Sequence, residues 1–117
     1  MEDLREIAKK LEILKEDIHD NAIEHGWYDE PRTFVEMIAI CHSELSAALE
    51  DYMNNYRLKK IWEDGKGEPC GTPMELADVI IRVLEICGYY DIDIGDAVIQ
   101  KHEYNKSRPY RHGNKII

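Results

Sequence analysis

Cysteine is scarce in this chain: Cys41, Cys70 and Cys87 are the only three in 117 residues, and none falls in a C-x-x-C or other paired spacing. That excludes a disulfide framework and a cysteine-built zinc site. Cys41 and Cys87 lie in apolar helical patterns, where a buried thiol is expected, and Cys70 lies in a loop. The five histidines offer no H-x-x-x-H pair, so a helical zinc site is excluded as well. Long apolar runs are also missing. The longest, "ADVIIRVLEIC", is interrupted by Arg82 and Glu85, and the opening "MEDLREIAKKLEIL" has no apolar signal-peptide core. A soluble, cytoplasmic protein without a membrane partner is expected. There is no P-loop, dinucleotide fingerprint or G-x-S-x-G elbow.

Positive charge is in short supply until the end. Fifteen Lys and Arg face 24 Asp and Glu, a formal net charge of -9. From Lys101 onward the balance reverses to +4, with Lys101, Lys106, Arg108, Arg111 and Lys115 against Glu103, leaving -13 on residues 1–100. So acidic a body repels nucleic acid backbones and anionic membranes unless a basic patch is set apart from it, as this end is, and no nucleic acid polymer is expected as a partner. A short basic strip on an acidic body suits a phosphate clamp, an intramolecular charge partner or a soluble end.

What the chain does have is helical periodicity. Leu4, Ile7, Ala8, Leu11, Leu14 and Ile18 recur at three and four, which predicts a helix over 2–18 with Gly26 able to stop it. Thr33 and Glu36 form a capping box for a second helix running to about Lys60, with Phe34, Met37, Ile38, Cys41, Leu45, Ala48, Leu49, Tyr52 and Tyr56 inward. The Gly/Pro-rich "WEDGKGEPCG" reads as a flexible connection. Thr72 as N-cap, Pro73 at the first helical position and Glu75 start a third helix that is apolar around most of its circumference and that Gly88 ends. Asp91 or Asp93 caps a fourth helix to about Asn105, with Ile94, Ala97, Val98 and Tyr104 inward. Pro109 stops anything beyond. The expectation is an all-α, four-helix bundle-like single domain over 1–117, with 107–117 a basic irregular tail. The apolar excess of the third helix calls for self-association.

Chemistry concentrates on three faces. Glu75 and Asp78 are three apart on one side of the third helix, among apolar neighbours, and Glu44 sits beside Cys41, Leu45 and Ala48. If two helices bring the three carboxylates together, a divalent cation resolves their repulsion, and magnesium suits hard oxygen ligands while leaving sites for water and phosphate. Arg82, one turn on, could equally neutralise the pair. Lys101, Asn105 and Arg108 recur at four and three, so a point charge, an amide and a planar fork share one side of the fourth helix. They suit phosphate oxygens, and they equally suit a solvated helix end. Around the first break, Trp27 could stack on a base and Asn21 could read its edge; Trp27 could equally plug the core.

"HSELSAALED" followed by "ELADVIIRVLEICGYYDIDIGDAVIQKHEYNKSRPYRHG" resembles the MazG-like branch of the all-α nucleoside triphosphate pyrophosphohydrolases, over roughly residues 15–113. The resemblance implies an E-x-x-E on one helix and an E-x-x-D on a later one holding Mg2+, or Mn2+ in its place. It matches Glu44 to the first pair and Glu75 and Asp78 to the second, with Lys101 and Asn105 at the phosphates. It implies hydrolysis of a nucleoside triphosphate between its α and β phosphates, to a monophosphate and pyrophosphate, by a homodimer or homotetramer with sites often shared between subunits. Glu44, Glu75, Asp78, Lys101 and Asn105 then carry catalysis, and Lys101, Asn105, Arg108, Asn21 and Trp27 hold substrate. The chain departs from the pattern at Ala47, where the first pair's second Glu should stand. A methyl ligates no metal, which leaves a catalytically weak or inactive nucleotide-binding or protein-interaction oligomer as the alternative. Asp51, seven residues from Glu44, returns to the same helical face about 10 Å further along.

Overall fold

A computed structural model describes residues 3–55 and 57–110. Among the described residues the fold is all-α but for one two-residue ladder: α1 (Leu4–Glu24), α2 (Phe34–Met53), β1 (Trp62–Glu63), β2 (Pro69–Cys70), α3 (Thr72–Tyr89) and α4 (Ile94–Ser107). Three of the helices begin where a short polar side chain accepts from the backbone. Asp3 takes the Glu6 amide, Thr33 the Glu36 amide and Asp93 the Asp96 amide, at 3.0, 3.1 and 3.0 Å. No helix among the described residues is long and apolar enough to cross a membrane.

Several boundaries differ from the sequence expectation, each for a local reason. The first helix continues past Ile18 to Glu24 because nothing opposes it before Gly26, whose φ of 79° turns the chain. The second stops at Met53 instead of Lys60, because Asn55 takes a left-handed φ of 67°, which asparagine tolerates and a helix does not. Tyr56, expected inward on that helix, lies outside the described residues. The Gly/Pro-rich connection carries an antiparallel pair, Trp62 opposite Cys70 and Glu63 opposite Pro69. Its turn is organised by the Asp64 carboxylate, which accepts from the Lys66 and Glu68 amides at 2.8 and 3.1 Å. The third helix is capped by Gly71, not Thr72, with a φ of 118° and the Lys60 carbonyl 2.2 Å from where a Cβ would stand. Thr72 is its first residue, buried, with a hydroxyl that has no partner. Gly88 does not end this helix; it lies inside it, where an added Cβ would meet the His19 side chain at 2.7 Å. That glycine is there for close packing of α1 on α3.

α3 packs against α2 on one side and α1 on the other, and α4 lies along α1. The buried apolar core is small: Met37 and Ala48 from α2, and Leu84, Ile86 and Cys87 from α3. Much of the expected inner surface stays open. Leu45, Leu49 and Ile80 are 51, 60 and 58 % exposed, and on α4 Ala97, Val98 and Tyr104 are exposed while Gly95 is buried against α1. The radius of gyration is 16.8 Å, against roughly 13 Å for a compact domain near this size. Of the basic tail expected over 107–117, Ser107 closes α4, and residues 111–117 lie outside the described residues.

Two buried polar clusters join α1 to the rest. The Lys15 ammonium, 2 % exposed, donates to Glu12 at 2.6 Å and to the Ile92 carbonyl at 3.0 Å, while the other Glu12 oxygen takes the Gly95 amide at 3.0 Å. Burial works against the charge on Lys15, but Glu12 and then Glu16 outweigh it and hold the proton more firmly than usual. Glu85, also 2 % exposed, is hydrogen-bonded by His19 Nδ1 and, at 2.7 Å, by the Tyr28 hydroxyl. Tyr28 in turn stacks on Tyr89, with ring centroids 4.7 Å apart.

Candidate metal centre on α2 and α3

α2 and α3 run antiparallel: Phe34 meets Tyr90 at one end, with ring centroids 5.7 Å apart, and Glu44 meets Arg82 further along. Continuing that register brings Ala47 level with Asp78, and Asp51 level with Glu75. The sequence order therefore produces a row of acids along the seam. One oxygen each from Glu44, Glu75 and Asp78 lies within 4.8 Å of the others, and all three residues are partly buried. Glu75 holds its proton above the usual carboxylate range. Burial is the largest cause, and the negative charges of Asp51, Asp78, Glu44 and Glu68 add to it. Acids thus face acids here, and a like-charged group within a few ångströms disfavours ionisation unless a cation intervenes.

The cation present is Arg82, whose Nε is 3.6 Å from Glu44 Oε1, too long for a hydrogen bond. Its guanidinium carbon lies 4.6 Å from the centre of the Trp27 ring, and that of Arg32 lies 4.1 Å from the same ring. Arg32 is held by a 3.0 Å bond from its Nε to the Trp27 carbonyl. Trp27 is thus engaged with two guanidinium groups, and its indole N–H is buried without a partner. Ala47 stands partly buried one turn beyond Glu44.

The other expected site residues lie elsewhere on the chain. Asn21 is exposed on the last turn of α1, where its backbone carbonyl accepts from the His25 amide and ring at 3.1 and 2.8 Å. Lys101 is exposed on α4, its ammonium 5.0 Å from the Tyr104 ring centre and in no ion pair with Glu44, Glu75 or Asp78. Asn105 is partly buried with an unpaired Oδ1. Arg108 caps α4 with its guanidinium carbon 5.9 Å from the same Tyr104 ring. Because α4 packs along α1, its basic face and the acidic seam of α2 and α3 belong to different parts of the chain.

Three residues escaped the sequence reading. Arg32 was one of many surface arginines until the fold set it on Trp27. The burial of Lys15 and Glu85 had a faint signal in each case, a charge inside an apolar stripe or run. No protein-family model, curated protein or solved structure matches this chain.

Three hard carboxylates from two facing helices form a donor set that suits a small divalent cation completed by water or phosphate oxygens. Their geometry and their mutual repulsion both fit such an ion.

Proposed function

We propose that the chain is a magnesium-dependent nucleoside triphosphate pyrophosphohydrolase of the MazG-like, all-α type. The observation that carries this reading is the meeting of Glu44 with Glu75 and Asp78, the acids that the motif resemblance singles out, within 4.8 Å across an antiparallel helix pair. In this reading Glu44, Glu75 and Asp78 hold Mg2+, and Mn2+ can replace it. The bound ion supplies charge neutralisation for phosphate oxygens and lowers the pKa of a coordinated water. The chain's own task is to position. The carboxylates of α2 and α3 fix where the phosphates come to rest, Lys101 and Arg108 compensate phosphate charge, and Asn105 donates a hydrogen bond to a phosphate oxygen. Asn21 and Trp27 mark the side of the base. Water is added across the α–β anhydride, and a nucleoside monophosphate and pyrophosphate leave.

The exposed apolar faces of α2 and α3 support a bundle completed by a second copy, as a homodimer or homotetramer in the cytoplasm. The packing of α4 on α1 supports a site that takes its basic residues from another copy. Pyrophosphate release from a panel of nucleoside triphosphates, with Mg2+ or Mn2+, tests the proposal. Release well above that of a Glu75→Gln control is expected, and equal release across the whole panel would reject it.

Ala47 favours one second reading: a nucleotide-binding oligomer that turns nothing over. The loss of one catalytic carboxylate costs several kcal/mol of transition-state stabilisation, at about 1.4 kcal/mol per tenfold in rate. Saturable binding of a non-hydrolysable nucleotide with Mg2+, without turnover of its natural counterpart, separates the two.

A further inference from the structure

Arg82 is placed to do more than neutralise Glu44. Its guanidinium carbon lies 4.6 Å from the centre of the Trp27 ring, a cation–π contact that still lets a guanidinium donate hydrogen bonds. The Arg82 Nε is buried and has no acceptor, because the nearest Glu44 oxygen is 3.6 Å away. A buried donor without an acceptor is costly, and the side chain that carries it is otherwise 28 % exposed, within reach of an incoming group. On the neighbouring turns of the same helix stand Asp78 and Glu75, which with Glu44 bring three carboxylate oxygens within 4.8 Å of one another. Arg32, 4.1 Å from the centre of the same indole, adds a second positive charge beside it. α4, which carries Lys101, packs along α1 instead. The guanidinium of Arg82, on α3 itself, thus borders the carboxylates through Glu44.

We propose that Arg82 is a phosphate-binding residue of this site, with Trp27 as the surface that holds its plane and a phosphate oxygen as the acceptor that its Nε–H lacks. The inference rests on the metal reading above for where the phosphate lies, and the test separates the two. The probe is inorganic pyrophosphate, titrated into wild type, Arg82→Gln and Arg82→Lys with and without saturating Mn2+, with Mn2+ affinity measured separately. A charge-assisted hydrogen bond lost from a phosphate predicts pyrophosphate affinity weaker by roughly tenfold or more in Arg82→Gln. Mn2+ affinity should hold or tighten, since a competing cation has gone. Arg82→Lys keeps the charge but lacks the fork and the stacking plane, and it should recover only a small part of the loss.

Pyrophosphate affinity in Arg82→Gln equal to wild type overturns the proposal, as does full recovery in Arg82→Lys, which would assign Arg82 to charge balance alone. A parallel fall in Mn2+ affinity also overturns it, by placing Arg82 in support of the carboxylates. If circular dichroism shows Arg82→Gln unfolded, Arg82→Lys decides by itself: wild-type affinity rejects the proposal and weakened affinity supports it. Arg82-dependent pyrophosphate binding without any Mn2+ binding would leave this proposal standing and remove the metal reading. Mn2+ binding with Arg82-independent pyrophosphate binding would do the reverse.

Discussion

α3 carries acids at both ends, and their surroundings are opposite. Glu85, near the C-terminal end, is almost wholly buried and satisfied within the chain by His19 and Tyr28. Glu75 and Asp78, near the N-terminal end, are less buried, yet they face Glu44 and Asp51 with a single arginine at 3.6 Å from Glu44. Burial alone would point to Glu85 as the functional acid. Partnership reverses that order. A buried acid whose hydrogen bonds are complete ties elements together, here α1 and the α1–α2 connection to α3. A partly buried acid surrounded by acids retains an unmet demand for positive charge. Glu75, whose carboxyl is pushed up by burial and then by the neighbouring acids, is the clearest sign of that demand.

The largest effect that tests the contrast is on stability. Glu85→Ala leaves His19 and the Tyr28 hydroxyl without their shared acceptor, and breaking such a buried pair costs about 3 kcal/mol or more. Urea unfolding should show this loss whether or not Mg2+ is present, because the Glu85 cluster is complete without it. A loss that appeared only with metal would merge the two ends of α3 into one site.

Ala47→Glu acts on the other end. In the α2–α3 register it adds a carboxylate level with Asp78, and one more hard oxygen should tighten Mn2+ binding by about tenfold, or 1.4 kcal/mol. An unchanged or weaker affinity by titration calorimetry would mean that position 47 does not face the site.

A smaller effect concerns pH. Because the folded state holds the Glu75 proton above the unfolded value, it binds more protons than the unfolded chain in the window from the ordinary glutamate value up to the raised one. Metal-free stability from this group is therefore full below that window and falls as pH rises through it. Asp51→Asn removes one of the charges responsible, so the Glu75 titration followed by carboxyl NMR should move down and the fall in stability should shrink. No movement would place Asp51 out of reach of Glu75.

Much of the architecture is legible in the residues. Thr33 and Asp93 cap where their patterns say; three-four apolar spacing finds α1, and start signals joined to apolar patterning find α2, α3 and α4. The ends are less legible, since Gly88 looks like a terminator and is a packing contact with His19, while Asn55, with no helix-breaking glycine or proline beside it, ends α2 seven residues early. For the site, the spacing of Glu75 and Asp78 places them on one face, but only the α2–α3 register brings Glu44 to them. The position of Arg82 over Trp27 depends on a contact between residues 55 apart, and the His19–Glu85 bond joins residues 66 apart. Neither leaves a local pattern. The placement of α4 along α1 is likewise a tertiary outcome, and it separates Lys101 from the carboxylates that motif order alone puts beside it.

In the proposed function, the acids of α2 and α3 meet to hold a divalent cation. Mn2+ binding to the wild type and to Glu75→Gln, followed by electron paramagnetic resonance of the free ion, measures it directly. Saturable binding to the wild type, weakened by at least about tenfold in Glu75→Gln with the fold intact, is the predicted result. Equal binding to both proteins, or none to the wild type, would contradict it.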